Sequence, residues 1–324
     1  MRKTATILSL FAASCAFAAL TENETDFNGV NGWTISGSGS ASELSAQNTT
    51  ALLLDNATID FDSTDGLEIK VGSGAGFQFT NYSIGTKGNV VLNFKSGSTA
   101  SLITSAGLAT SANASATAGY VVLNVEKGYA GTIKLPVIGV FKGTVELNLH
   151  NAYALNRTRV YVSNPTVLNM SADQSILWDK RDDNWANGKG SFQINITDGA
   201  SLFVVGKGSG VDNSSLKTST VKLMGENLLD GYIYFVSSMV DSFDNDAKTI
   251  TLRGLNKNLH TVSFLDKDGN AVNSDSYANF EIGETVINGV AYHYATMAAI
   301  PEPATWAAIF GAIALGLAVY RRRK

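Results

Sequence analysis

The densest chemistry in the chain is the run Trp178-Asp179-Lys180-Arg181-Asp182-Asp183-Asn184-Trp185. Its two indole rings can stack on the apolar face of a pyranose, and the carboxylates between them can accept hydrogen bonds from sugar hydroxyls. Trp178, Asp182, Asp183 and Trp185 are therefore the candidate glycan-binding residues. Paired carboxylates also do acid–base work in glycoside cleavage. In a repetitive β-fold, however, such groups come from successive turns of the chain, and here they are neighbours in sequence. The plainer reading is preferred: a solvated loop whose tryptophans pack against the edge of the fold.

The rest of the inventory is chemically quiet. His150, His260 and His293 are far apart in sequence and are expected on strand surfaces or loops, without catalytic or metal roles. No G-x-S-x-G elbow, H-E-x-x-H pair or phosphate-binding Gly-Lys-Ser/Thr is present. Asp266-Lys267-Asp268-Gly269-Asn270 begins like a calcium loop, with Asp275 as a further oxygen, but it lacks the closing Glu. A tight hairpin explains the same residues more simply. No catalytic residue, metal set or cofactor is expected, and the chain reads as non-enzymatic.

The elements that would position these residues are strands. Apolar residues alternate with polar ones, as in Leu67-Glu68-Ile69-Lys70-Val71 and Thr144-Val145-Glu146-Leu147-Asn148-Leu149, and glycine-containing breaks separate the runs. A five-residue core recurs at Val90–Phe94, Val121–Val125, Val145–Leu149, Thr166–Met170 and Phe192–Ile196, each with asparagine in fourth place. The asparagines are 31, 24, 21 and 26 residues apart, and Ile59-Asp60-Phe61 reads as a degenerate earlier copy. One strand plus turns every 20–30 residues suits a right-handed parallel β-helix, in which stacked coils bury the inward positions together. A β-sandwich is the alternative all-β reading. The β-helix is expected over 19–219 and an antiparallel β end-module over 220–299, where Asp268-Gly269 and Asn288-Gly289 supply hairpin turns.

Charge narrows the partners. The chain has 24 Lys+Arg and 28 Asp+Glu; residues 1–18 take two cations, and 301–324 take four cations and one acid. The region between is left with 18 against 27, a net charge of −9. Nucleic acid is thereby excluded as an expected partner, because it demands a basic face.

Both ends read as sorting signals. Arg2 and Lys3 precede an apolar stretch and the cleavage pattern Ala16-Phe17-Ala18, so residues 1–18 form a signal peptide and the mature chain begins at Ala19. The only cysteine, Cys15, then leaves with the leader; a lipoprotein box ending at Cys15 is the weaker alternative. At the other end, residues 300–324 combine Pro301-Glu302-Pro303, an uncharged stretch over 304–320 and the cations Arg321, Arg322, Arg323 and Lys324. The two prolines keep the chain extended. The stretch of 17 residues forms a transmembrane helix, and the cations stop transfer on the cytoplasmic side.

This three-part tail resembles the PEP-CTERM sorting signal of Gram-negative bacteria. The resemblance covers Pro301 to Lys324 and implies processing by an exosortase, a membrane-embedded transpeptidase-like enzyme, near the Pro-Glu-Pro motif. It implies an inner-membrane-anchored precursor, then a place on the cell surface or in the extracellular matrix. The leader, the repetitive β region and the anchor together look like autotransporter-type surface proteins. The expected function is thus structural or adhesive, with exopolysaccharide as a candidate partner. A polysaccharide-binding or polysaccharide-degrading β-helix protein is the alternative.

Overall fold

The computed structural model describes residues 19–27, 29–72, 82–110, 119–140, 143–162, 166–178, 192–206, 216–253 and 259–297. The expected signal peptide, the sorting tail and residues 179–185 of the tryptophan run lie outside them. Among the described residues the chain is all-β, and the only helical segments are three-residue 3-10 turns at Ala41–Glu43 and Ser237–Met239. No helix among them is long and apolar enough to cross a membrane, and the span expected at 304–320 lies outside them.

The repeat read from the sequence becomes a parallel sheet in register. Strands Val90–Phe94, Tyr120–Val125, Thr144–Leu149, Thr166–Met170 and Phe192–Ile196 lie side by side in chain order. Asn93 pairs with Asn124, Asn124 with Asn148, Asn148 with Asn169 and Asn169 with Asn195. Strand Leu52–Phe61 adds the degenerate copy, setting Asp60 beside Asn93 and Phe61 beside Phe94. Strand alternation then sends the asparagines one way and the apolar residues on either side the other way.

Stacked columns of buried side chains result. Ile59, Leu92, Leu123, Leu147, Leu168 and Ile194 form one, and Phe61, Phe94, Val125, Leu149, Met170 and Ile196 form the next. Phe61 and Phe94 stack with centroids 4.4 Å apart, and Tyr129 meets Phe94 edge-on at 5.3 Å. Each side chain so buried contributes about 1.5–3 kcal/mol of apolar transfer.

Other parallel rows fill the intervals between copies. One contains Ile84–Lys87, Leu108–Thr110, Val137–Val140 and Arg159–Val162. Another contains Asn48–Thr49, Glu68–Val71, Ser101–Thr104 and Ile133–Lys134. Between the first row and the repeat strands the chain turns at Gly88, Gly119 and Gly143. A Cβ on Gly119 would lie 1.9 Å from the carbonyl oxygen of Gly88, and one on Gly143 only 1.8 Å from that of Gly119. The corner can be stacked this closely only without side chains.

The boundary expected at 219/220 falls inside strand Leu216–Leu223, which is parallel both to Phe192–Ile196 and to Leu259–Leu265. Antiparallel pairs occur at both ends of the chain: Thr21–Asp26 with Asn31–Ser40 near the start, and Thr249–Arg253 with both Leu259–Leu265 and Val240–Asp244 in the later part. A further sheet, of five strands, runs Gln174–Trp178, Ala200–Gly206, Gly231–Val236, Val290–Met297 and Phe280–Ile287. Its first three strands are mutually parallel, and the last two form an antiparallel hairpin. Asn288 (φ +49°) and Gly289 (φ +78°) close that hairpin, as their types predict. At Asp266–Asn270 the reversal is shorter, closed by one bridge between Leu265 and Ala271. The apolar interior is continuous from Ile35 to Ala295.

Candidate functional site

Of the residues proposed for glycan binding, Trp178 ends strand Gln174–Trp178, opposite Gly206. Asp182, Asp183 and Trp185 lie outside the described residues. So do Ala16, Ala18, Pro301, Glu302, Pro303 and Arg321 to Lys324.

The sheet that carries Trp178 also gathers aromatic residues that were not singled out for binding. In Gly231–Val236, Ile233 and Phe235 point into the interior, so Tyr232 and Tyr234 point out. In Val290–Met297 the same alternation buries His293 and Ala295 and turns Tyr292 and Tyr294 outward. Register sets Tyr234 between Phe203 and Tyr294, and Tyr294 beside Gly283. A Cβ at Gly283 would lie 2.5 Å from the Tyr294 hydroxyl, so glycine there lets the ring lie over the hairpin backbone.

The rings form a connected surface. Tyr232 and Tyr234 stack with centroids 5.3 Å apart, and Phe203 continues the stack 5.1 Å beyond Tyr234. Tyr294 meets Tyr232 edge-on at 5.9 Å, and Tyr292 meets Tyr234 at 5.8 Å. Beside them runs a cleft of about 980 Å³ lined in part by Tyr232, Tyr234, Tyr294, Asp230 and Glu281. No Lys or Arg among the described residues lines it.

Carboxylates set the electrostatics. The Tyr294 hydroxyl donates to Glu281 Oε1 at 2.5 Å, and this hydrogen bond pushes its pKa up to about 12. Burial, with smaller contributions from Tyr232 and Asp173, raises that of Tyr234. Both phenols therefore stay neutral at any physiological pH. Aromatic faces, hydroxyls and carboxylates without a cation suit a polyhydroxylated or cationic ligand.

The histidines need a correction. His150 is exposed after strand Thr144–Leu149, but His260 is 2% exposed and His293 is 9% exposed, both on inward strand positions. The expectation of surface positions failed for these two because alternation, not polarity, decides which way a strand residue points. His293 Nδ1 lies 3.0 Å from Ser237 Oγ and Nε2 lies 2.8 Å from Glu284, tying the Ser237–Met239 turn to the terminal hairpin.

Asp266 is likewise committed to structure. It accepts from the backbone N–H groups of Asp268 and Asn270, from the Asn270 side chain and from the Tyr277 hydroxyl at 2.6 Å. Led by the Tyr277 bond, these hold its carboxyl well below the usual range. No cluster of three or more His, Cys, Asp or Glu positioned for a metal occurs among the described residues.

The tyrosine face had a signal in the sequence: Tyr232-Ile233-Tyr234 and Tyr292-His293-Tyr294 each place two aromatics at period two. What the chain order hides is that two segments some 60 residues apart pair directly. Compared with family models, curated proteins and solved structures, the chain matches none.

Proposed function

We propose that this chain is an exported, non-enzymatic structural or adhesive protein of the bacterial surface or extracellular matrix. Its parallel rows wind as a right-handed β-helix, and the hairpin Phe280–Ile287/Val290–Met297 closes one end. The observation that carries this reading is the in-register parallel stack of the repeat, with its asparagines hydrogen-bonded strand to strand. A β-sandwich of antiparallel sheets accounts poorly for so many consecutive parallel pairs.

In this reading the tail from Pro301 to Lys324 is an address, handled by an exosortase-type enzyme while the helix over 304–320 holds the precursor in the inner membrane. Deleting residues 301–324 is the test. The truncated chain should leave the membrane fraction and fail to accumulate on the surface. Unchanged surface accumulation would defeat the sorting role. The second reading, contact with extracellular polysaccharide, is favoured by the tyrosine-lined cleft rather than by residues 178–185.

A further inference from the structure

We propose that the tyrosine face is a binding site for a polysaccharide bearing free amino sugars; this rests on the reading of the protein as one that meets extracellular glycans. The proposal comes from the combination of rings and charge in one cleft. Tyr232, Tyr234 and Tyr294 present aromatic surface, and Tyr232 is 38% exposed, so ring area is open to a ligand. Asp230 and Glu281 line the same cleft, and no Lys or Arg among the described residues lines it to neutralise them.

Those features discriminate among sugars. A pyranose stacks its C–H face on a ring whatever its charge. A protonated amino group gains twice more: cation–π attraction to the tyrosines and Coulomb attraction to the carboxylates. A uronic acid would bring its own carboxylate against Asp230 and Glu281 and be repelled. The net charge of −9 between the two sorting signals acts in the same direction at longer range.

The test is titration calorimetry of the full chain, in detergent, with three hexasaccharides: glucosamine, N-acetylglucosamine and a uronic acid. The glucosamine oligomer should bind, more weakly at high salt, with the N-acetylated oligomer weaker and the uronate undetectable. Tyr232→Ala and Glu281→Gln should each weaken the glucosamine complex about tenfold, the scale of one stacking or cation–π contact, while Tyr232→Phe retains it. Circular dichroism of each variant shows whether the fold is kept. Equal or tighter binding of the uronate, or no effect of Tyr232→Ala in a folded variant, would overturn the proposal. A chain that is exported but binds none of the three sinks this inference and leaves the structural function standing; a chain that binds glucosamine oligomer but stays in the cytoplasm does the reverse.

Discussion

The repeat strands from Val90–Phe94 to Phe192–Ile196 and the strands Ala200–Gly206, Gly231–Val236 and Val290–Met297 bury the same kind of interior, yet their outward faces differ in kind. On the repeat face the amides satisfy one another. Asn93 donates to Asp60 at 2.7 Å, Asn124 to Asn93 at 2.7 Å, Asn148 to Asn124 at 2.8 Å and Asn169 to Asn148 at 2.7 Å. On the tyrosine face the rings touch each other, the Tyr294 hydroxyl is bonded to Glu281, and the cleft beside them is lined by the exposed Tyr232 ring and by the carboxylates of Asp230 and Glu281. A polar face that consumes its own hydrogen-bonding capacity holds strands together; one that leaves capacity open can hold something else. The same β framework thus separates cohesion from contact.

The sharpest way to break the comparison is to attack what both faces share. Phe94 is fully buried between Phe61 and Tyr129. Phe94→Ala should cost about 3–5 kcal/mol in urea unfolding. A cost below about 1 kcal/mol would mean that the stacked columns are not the source of stability. Next, Asn148→Ala leaves Asn124 Oδ1 and an Asn169 amide without their partners in the ladder. It should destabilise by about 1–3 kcal/mol and leave glycan binding unchanged. Tyr232→Ala should do the opposite, with a stability change within about 0.5 kcal/mol. If both variants behave alike, the division between the faces is wrong.

A smaller effect sharpens the account of the interior. Thr166 occupies a column with Val90, Val121, Val145 and Phe192, and its buried hydroxyl has no hydrogen-bond partner among the described residues. Thr166→Val should raise stability by about 1 kcal/mol, read as a shift in the urea midpoint at constant slope.

The smallest effect belongs to alkaline pH. The Tyr294 pKa of about 12 stands above the ordinary value of 10 because Glu281 accepts from the neutral hydroxyl. A raised pKa favours the folded state below pH 10, and that contribution is lost as pH rises from 10 toward 12. Tyr294→Phe should flatten the pH dependence of stability in that window. An unchanged slope would show that the bond to Glu281 does not form in solution.

How much was legible in the sequence follows from the same physics. The five-residue repeat and its degenerate copy at Ile59-Asp60-Phe61 were legible as strands of one pattern, and they pair in register, the polar fourth position of each beside that of the next. The ladder could not be read, since alternation says only that the asparagines share a face; their mutual bonding depends on strand stacking. Gly88, Gly119 and Gly143 each closely precede a repeat strand, but the close backbone approach that requires glycine there is visible only once the coils are stacked. Position 219/220 lies within Leu216–Leu223, a strand that lacks the asparagine core yet keeps the parallel pairing, which no local pattern shows. For the candidate site, charge density drew attention to residues 178–185, while the tyrosine face needed the pairing of Gly231–Val236 with Val290–Met297, which no local pattern encodes.

The central claim is that the chain is built to be delivered outside the cell. Intact-mass spectrometry of the protein recovered from the cell surface tests it most directly. The account predicts a chain that begins at Ala19 and ends close to Pro301-Glu302-Pro303, without residues 304–324. Recovery only from the cytoplasm with Met1 in place, or a surface form still ending in Lys324, would contradict it.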